Sequence, residues 1–70
     1  MVDYESLKKA IVEFGEVMVK MGSGDVFELH KHNTKFDDAT KTIILDAGNE
    51  TYWIDVNHIE YYWIHKVGKE

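Results

Sequence analysis

The pattern of apolar and polar positions changes period once, near Gly15. Before it, Leu7, Ala10, Ile11 and Phe14 recur at helical spacing, so they share one face. Lys8, Lys9 and Glu13 fall on the other face. Asp3 is placed to cap the N-terminus, Glu5 suits the positive end of the helix dipole, and Gly15 suits the stop. The spacing predicts a helix over 4–14. Such a helix packs on its own domain or lies on a membrane surface. Two lysines among three nearby carboxylates favour packing.

After Gly15 the period is two. Val17, Val19 and Met21 alternate with Glu16, Met18 and Lys20, which predicts a half-buried strand. Gly22-Ser23-Gly24-Asp25 is a turn. A second strand is expected from Val26 to about Asn33, with Phe27, Leu29 and Lys31 on one face and Glu28, His30 and His32 on the other. Thr34 to Lys41 reads as a polar loop interrupted by Phe36. Thr42-Ile43-Ile44-Leu45 is the third strand, Asp46 to Glu50 a hairpin connection, and Thr51 to Asp55 the fourth strand. Val56 to Ile59 reads as a short turn or one turn of 3₁₀ helix. Glu60 to Lys66 is the last strand, and Val67 to Glu70 a tail. One helix followed by five short antiparallel strands predicts a single, mostly β domain over 1–70, with the strands closing into a small barrel over about 16–66.

The last two strands are apolar on both faces. Tyr61, Trp63 and His65 share one side of the final strand; Tyr62, Ile64 and Lys66 share the other. Tyr52-Trp53-Ile54 is similar. A small domain has one core, so the second face needs another cover. Tyr52, Ile54, Tyr62, Trp63 and Ile64 are therefore expected at an interface between copies of the chain. The competing reading leaves the aromatic rings half exposed with their polar tips in water. Length supports assembly. At 70 residues without a cysteine, the chain has no disulfide to supplement a small core.

The order of elements resembles the Sm/LSm family, including the Hfq proteins. Val17-Met18-Val19-Lys20-Met21 followed by Gly24 resembles the family's first strand and its turn glycine. Phe36-Asp37-Asp38 resembles its aromatic–aspartate pair, and Thr42-Ile43-Ile44-Leu45 its third strand. The run from Tyr52 to Tyr61 is similar to its second half-motif, with Ile59 at the turn anchor. The resemblance implies a strongly bent five-stranded SH3-like barrel behind an N-terminal helix. It implies a homo-oligomeric ring built by pairing the fourth strand of one copy with the fifth of the next. It also implies binding of single-stranded RNA, with DNA as the alternative, in the cytoplasm. The departures fit a divergent lineage such as a phage one. Gly24 to Asp37 is longer than the family spacing, Leu29 stands near a glycine that lets the second strand bend, and the RNA-reading pair is replaced within Asp55-Val56-Asn57-His58.

Charge narrows the chemistry. A net charge of -5 with no arginine argues against a basic, sequence-blind nucleic-acid binder, so any contact must rest on lysine, histidine and asparagine. Asn57 and His58 stand where the family places its RNA-reading pair, and both can bond a base edge; Asn57 alternatively only shapes the turn. His30, Lys31, His32 and Lys35 are candidates for phosphate contact, diluted by Glu28, Asp37 and Asp38; a solvated face is the alternative. His30 and His32 can also join a metal site, but no third ligand stands at motif-like spacing, so neither metal nor cofactor is expected. The exposed aromatics can stack bases or fill a core or interface. Nothing predicts catalysis. Ser6 and Ser23 lack a positioned His–Asp pair, Asp37 and Asp38 point apart, and no phosphate loop is present. No small-molecule substrate and no membrane partner are expected. The alternative function is a structural or protein-interaction module of the same fold.

Overall fold

The computed structural model describes residues 1–66, so the tail expected at 67–70 lies outside the described residues. The chain opens with α1 (Tyr4–Phe14). The Asp3 carboxylate accepts from the Ser6 backbone N–H at 3.0 Å, satisfying a donor that the first turn leaves free. Gly15 ends the helix in the left-handed region, at φ 80°, and its N–H returns to the Ile11 carbonyl. The apolar stripe begins earlier than its spacing suggested, at Tyr4, and continues through Leu7, Ala10 and Ile11. Phe14, expected on that stripe, is instead 54% exposed at the helix end, where the chain reverses.

Six strands follow rather than five: β1 (Glu16–Met21), β2 (Val26–His30), β3 (Thr34–Asp37), β4 (Thr42–Asp46), β5 (Thr51–Asp55) and β6 (Ile59–Trp63). They form two antiparallel three-stranded sheets, ordered β2-β1-β6 and β3-β4-β5. A 3₁₀ turn at Val56–His58 joins β5 to β6, as the sequence allowed. The sheets face each other across one core, and Phe27 of the first meets Tyr52 of the second with ring centres 4.9 Å apart. Among the described residues no ladder joins the two sheets, so they do not close into a barrel. Among the described residues no helix is long and apolar enough to cross a membrane.

The extra strand comes from the segment read as a loop. The second strand stops at His30, and Lys31 to Asn33 form a turn. The His30 N–H donates to Asn33 Oδ1 at 2.9 Å, and Thr34 Oγ1 donates to the His30 carbonyl at 2.8 Å. These local bonds satisfy backbone groups that an unbroken strand would pair. The chain thus crosses between sheets without a glycine. Leu29, near the family's glycine position, is fully buried beside the bend.

The core combines Leu7 and Ile11 of α1, Val17, Val19 and Leu29 of the first sheet, and Ile43, Leu45 and Ile54 of the second, with Val56 and Ile59 sealing the turn. Each such side chain contributes about 1.5–3 kcal/mol by leaving water. Ile54 corrects the interface expectation: it is 3% exposed and points into its own core. Tyr52, Tyr62 and Ile64 are half-buried against that same core. Ile64 also lies beyond β6, which ends at Trp63 rather than reaching Lys66. The two-faced look of these strands has a simple cause. One face supplies the core of a single chain, and the other carries Trp53, Tyr61 and half-buried Trp63.

Candidate nucleic-acid interface

The outer face of the second sheet carries a row set by register: Lys35 of β3, Ile44 of β4 and Trp53 of β5. Inward neighbours alternate with these three, so the row faces away from the core. Trp53 is 69% exposed, a flat aromatic surface beside a lysine two strands away. The row runs into a shallow groove of about 240 Å³ lined by His32, Lys35, Ile44, Asp46 and Thr51. The strand pairing thus puts Lys35 in one row with an aromatic that can stack a base, and the groove at Lys35 and Ile44 adds His32. Among the described residues Asp46 is the one carboxylate in the lining.

Asn57 and His58 lie at the other end of this sheet. β5 runs from Thr51, beside the groove, to Asp55, which starts their turn. Four steps of strand rise separate those ends by about 13 Å. Asp55 organises the turn. Its Oδ1 accepts the Asn57 backbone N–H at 2.9 Å, and its Oδ2 lies 3.3 Å from His58 Nδ1. Both Asn57 and His58 remain exposed. Asn57 borders a small recess with Tyr4, Lys41 and Val56.

His30 is on a different surface. It faces outward from the first sheet, with its Nε2 2.7 Å from Glu28 Oε2. Glu16, its cross-strand partner, completes a group whose donor atoms lie within 4.8 Å of one another. A phosphate placed here meets two carboxylates, so the expected phosphate contact is misplaced at His30. The Glu16 carboxyl is held above its ordinary range, chiefly by a hydrogen bond to Glu28. Glu28 is held below its ordinary range by that same bond and by His30. The His32 ring centre is 5.2 Å from that of His30 although His32 has left the strand. Lys31 is exposed in the turn, its backbone N–H bonded to the Gly15 carbonyl.

The rest of the first sheet's outer face is aromatic and aliphatic. Tyr61 and Trp63 have ring centres 5.5 Å apart, and Lys20 Nζ lies 5.7 Å from the Tyr61 ring centre. Val26 is 48% exposed in the same row as Lys20 and Tyr61. Both serine hydroxyls are engaged by carboxylates close in sequence, Ser6 with Asp3 at 2.7 Å and Ser23 with Asp25 at 3.0 Å.

Trp53 stands among the aromatics that can stack bases or fill a core or interface, and its alternation with Tyr52 and Ile54 separates it from the core face. Sequence reasoning missed one participant. Glu16 was passed over because it is far from His30 in sequence. The length of the Gly22–Asp25 turn was the available signal, since it sets the pairing that makes them neighbours. No protein-family model, curated protein or solved structure matches the chain.

Proposed function

We propose that the chain is a subunit of a cytoplasmic, Sm-like homo-oligomeric ring that binds single-stranded RNA, or DNA, without catalysing a reaction on it. One observation carries this reading. Among the described residues β5 and β6 each end their sheet as an unpaired edge, and they meet at the exposed turn that holds Asn57 and His58. An unpaired edge is a template for another strand. Pairing β5 of one copy with β6 of the next repeats head to tail, and such a contact closes into a ring when its rotation permits. It also joins the second sheet of one copy to the first sheet of the next in a continuous ladder. Each copy then presents its Asn57–His58 turn once around the ring, so weak contacts add by avidity. Trp53 and Lys35 give the same strand ligand a stacking surface and a cation.

The second reading is a structural module of the same fold with no nucleic-acid affinity. The net charge of -5 and the pairing of His58 with Asp55 favour it. Light scattering on the full chain, followed by filter binding to homopolymer RNAs and DNAs at low and moderate salt, separates the two. A closed multimer that binds at least one homopolymer supports the ring-and-ligand reading. An intact multimer that binds none leaves the structural module, and a clean monomer removes both.

A further inference from the structure

The first sheet carries a mixed nitrogen and oxygen donor set that the proposed function does not use. Glu16 of β1 is the direct cross-strand partner of His30 of β2. Glu28 precedes His30 by one alternation of the same strand and therefore shares its face. All three side chains leave the sheet opposite Val17 and Leu29, which are fully buried. The ladder to β1 and the Asn33 side chain bonded to the His30 N–H hold their backbone in place. Two carboxylates this close repel each other unless a proton or a cation lies between them.

We propose that Glu16, Glu28 and His30 bind a divalent transition-metal ion, with zinc the best fit. Zinc takes imidazole nitrogen and carboxylate oxygen at about 2.0–2.2 Å, so its ligand atoms stand about 3.4 Å apart in a tetrahedral shell. Here the donor atoms already lie within 4.8 Å of one another. The remaining closure is within reach of side-chain rotation, because Glu28 is exposed and Glu16 and His30 are only half-buried. Three protein ligands leave a fourth position for water. The neighbouring His32 imidazole is near enough to His30 to compete for it. Magnesium and calcium fit worse, since both prefer an all-oxygen shell of six or more ligands. The pair of histidines alone lacked a third ligand at a recognisable spacing; strand register provides it.

The test is titration of the untagged full chain with zinc by calorimetry, with ¹⁵N NMR of the histidine rings. The expected result is saturable binding of one zinc per chain, with the His30 ring nitrogens the most shifted. Glu16→Gln and His30→Ala should each weaken binding at least about tenfold, the size that loss of an outer-shell partner already costs. His58→Ala should leave it unchanged, and excess magnesium should not displace the zinc. All three positions reach solvent, so amide spectra of the variants should keep the wild-type dispersion. Absence of saturable binding overturns the proposal. So does an affinity unchanged in the Glu16→Gln/His30→Ala double variant, or displacement by magnesium as readily as by zinc.

Discussion

The Tyr4 hydroxyl donates a 2.6 Å hydrogen bond to Asp38 Oδ1 and so ties the first turn of α1 to the loop after β3. Lys8 Nζ reaches the same oxygen at 3.0 Å. The Tyr4 ring is buried and meets Phe36 edge-on. This contact is the polar part of the helix–sheet junction. The Tyr4 bond and then Lys8 hold the Asp38 carboxyl below its ordinary value of 3.8. Its contribution is complete above about pH 4 and is lost as pH falls through the lowered value. Tyr4 is shifted the other way, first by burial and then by the bond to Asp38. Its contribution is present below about pH 10 and is lost as pH rises through the raised value. Tyr4→Phe should cost about 1 kcal/mol at neutral pH and remove the alkaline loss. Asp38→Asn should remove the part of the acid loss that comes from this carboxyl. Urea denaturation near pH 3, 7 and 10.5 checks both.

Leu29 offers the sharpest test of the core. It is fully buried between β1 and the bend. Leu29→Ala should cost about 2–5 kcal/mol, the loss of its transfer energy and of the space it fills. A chain of this length has about 4–10 kcal/mol in total. The expected outcome is a variant with little or no cooperative thermal transition by circular dichroism.

The turn at Lys31 to Asn33 depends on two side chains rather than on glycine. Asn33→Ala removes the acceptor for the His30 N–H, and Thr34→Val removes the donor to the His30 carbonyl. Asn33→Ala should lower stability by about 1 kcal/mol in chemical denaturation, because it leaves the half-buried His30 N–H without its partner, whereas Thr34→Val should cost less, because the His30 carbonyl keeps the Asn33 N–H at 3.1 Å. A glycine at position 33 would lose the same bond, so Asn33→Gly should not rescue stability.

The periodicity of Leu7 to Ile11 and of Val17 to Met21 made the helix and β1 legible, because each is a local pattern repeated against one core face. The Asp46–Glu50 connection was legible for the same kind of reason, a polar run between two β-branched segments. The bend was not, since Asn33 and Thr34 act through hydrogen bonds that leave no mark on hydropathy. β3 was hidden by its brevity. Thr34 and Phe36 do alternate with Lys35 and Asp37, but four residues with one aromatic look like loop. Of the candidate site, Asn57 and His58 were placed correctly in an exposed turn. The split between His30 on one sheet and Lys35 on the other follows from the bend, so it was lost with it.

Assembly can be separated from folding by choosing the face that is substituted. Ile64 packs on the core, so Ile64→Asp should unfold the chain rather than yield a folded monomer. Tyr61 is 49% exposed on the edge strand β6, where a lysine discourages pairing at little cost to the core. Tyr61→Lys should keep the wild-type far-ultraviolet spectrum and lower the mass measured by light scattering. A folded Tyr61→Lys variant of unchanged mass would place assembly elsewhere.

Trp53 and Lys35 share a face but act through different physics, and their variants should differ accordingly. Stacking a base on Trp53 is worth about 1–3 kcal/mol and is insensitive to salt. Trp53→Ala should therefore weaken binding of single-stranded RNA by about 5- to 150-fold at every salt concentration, with the slope of log affinity against log salt unchanged. Lys35 contributes through a phosphate and the counterion it releases. Lys35→Ala should flatten that slope by about 0.7, the increment for one contact to a single strand. Its effect should be largest at low salt and fade as salt rises. Neither substitution touches a buried side chain, so both variants should melt within a few degrees of wild type. Parallel loss in both variants at all salts would mean that the sheet face is disturbed as a whole and that the row does not read a strand residue by residue.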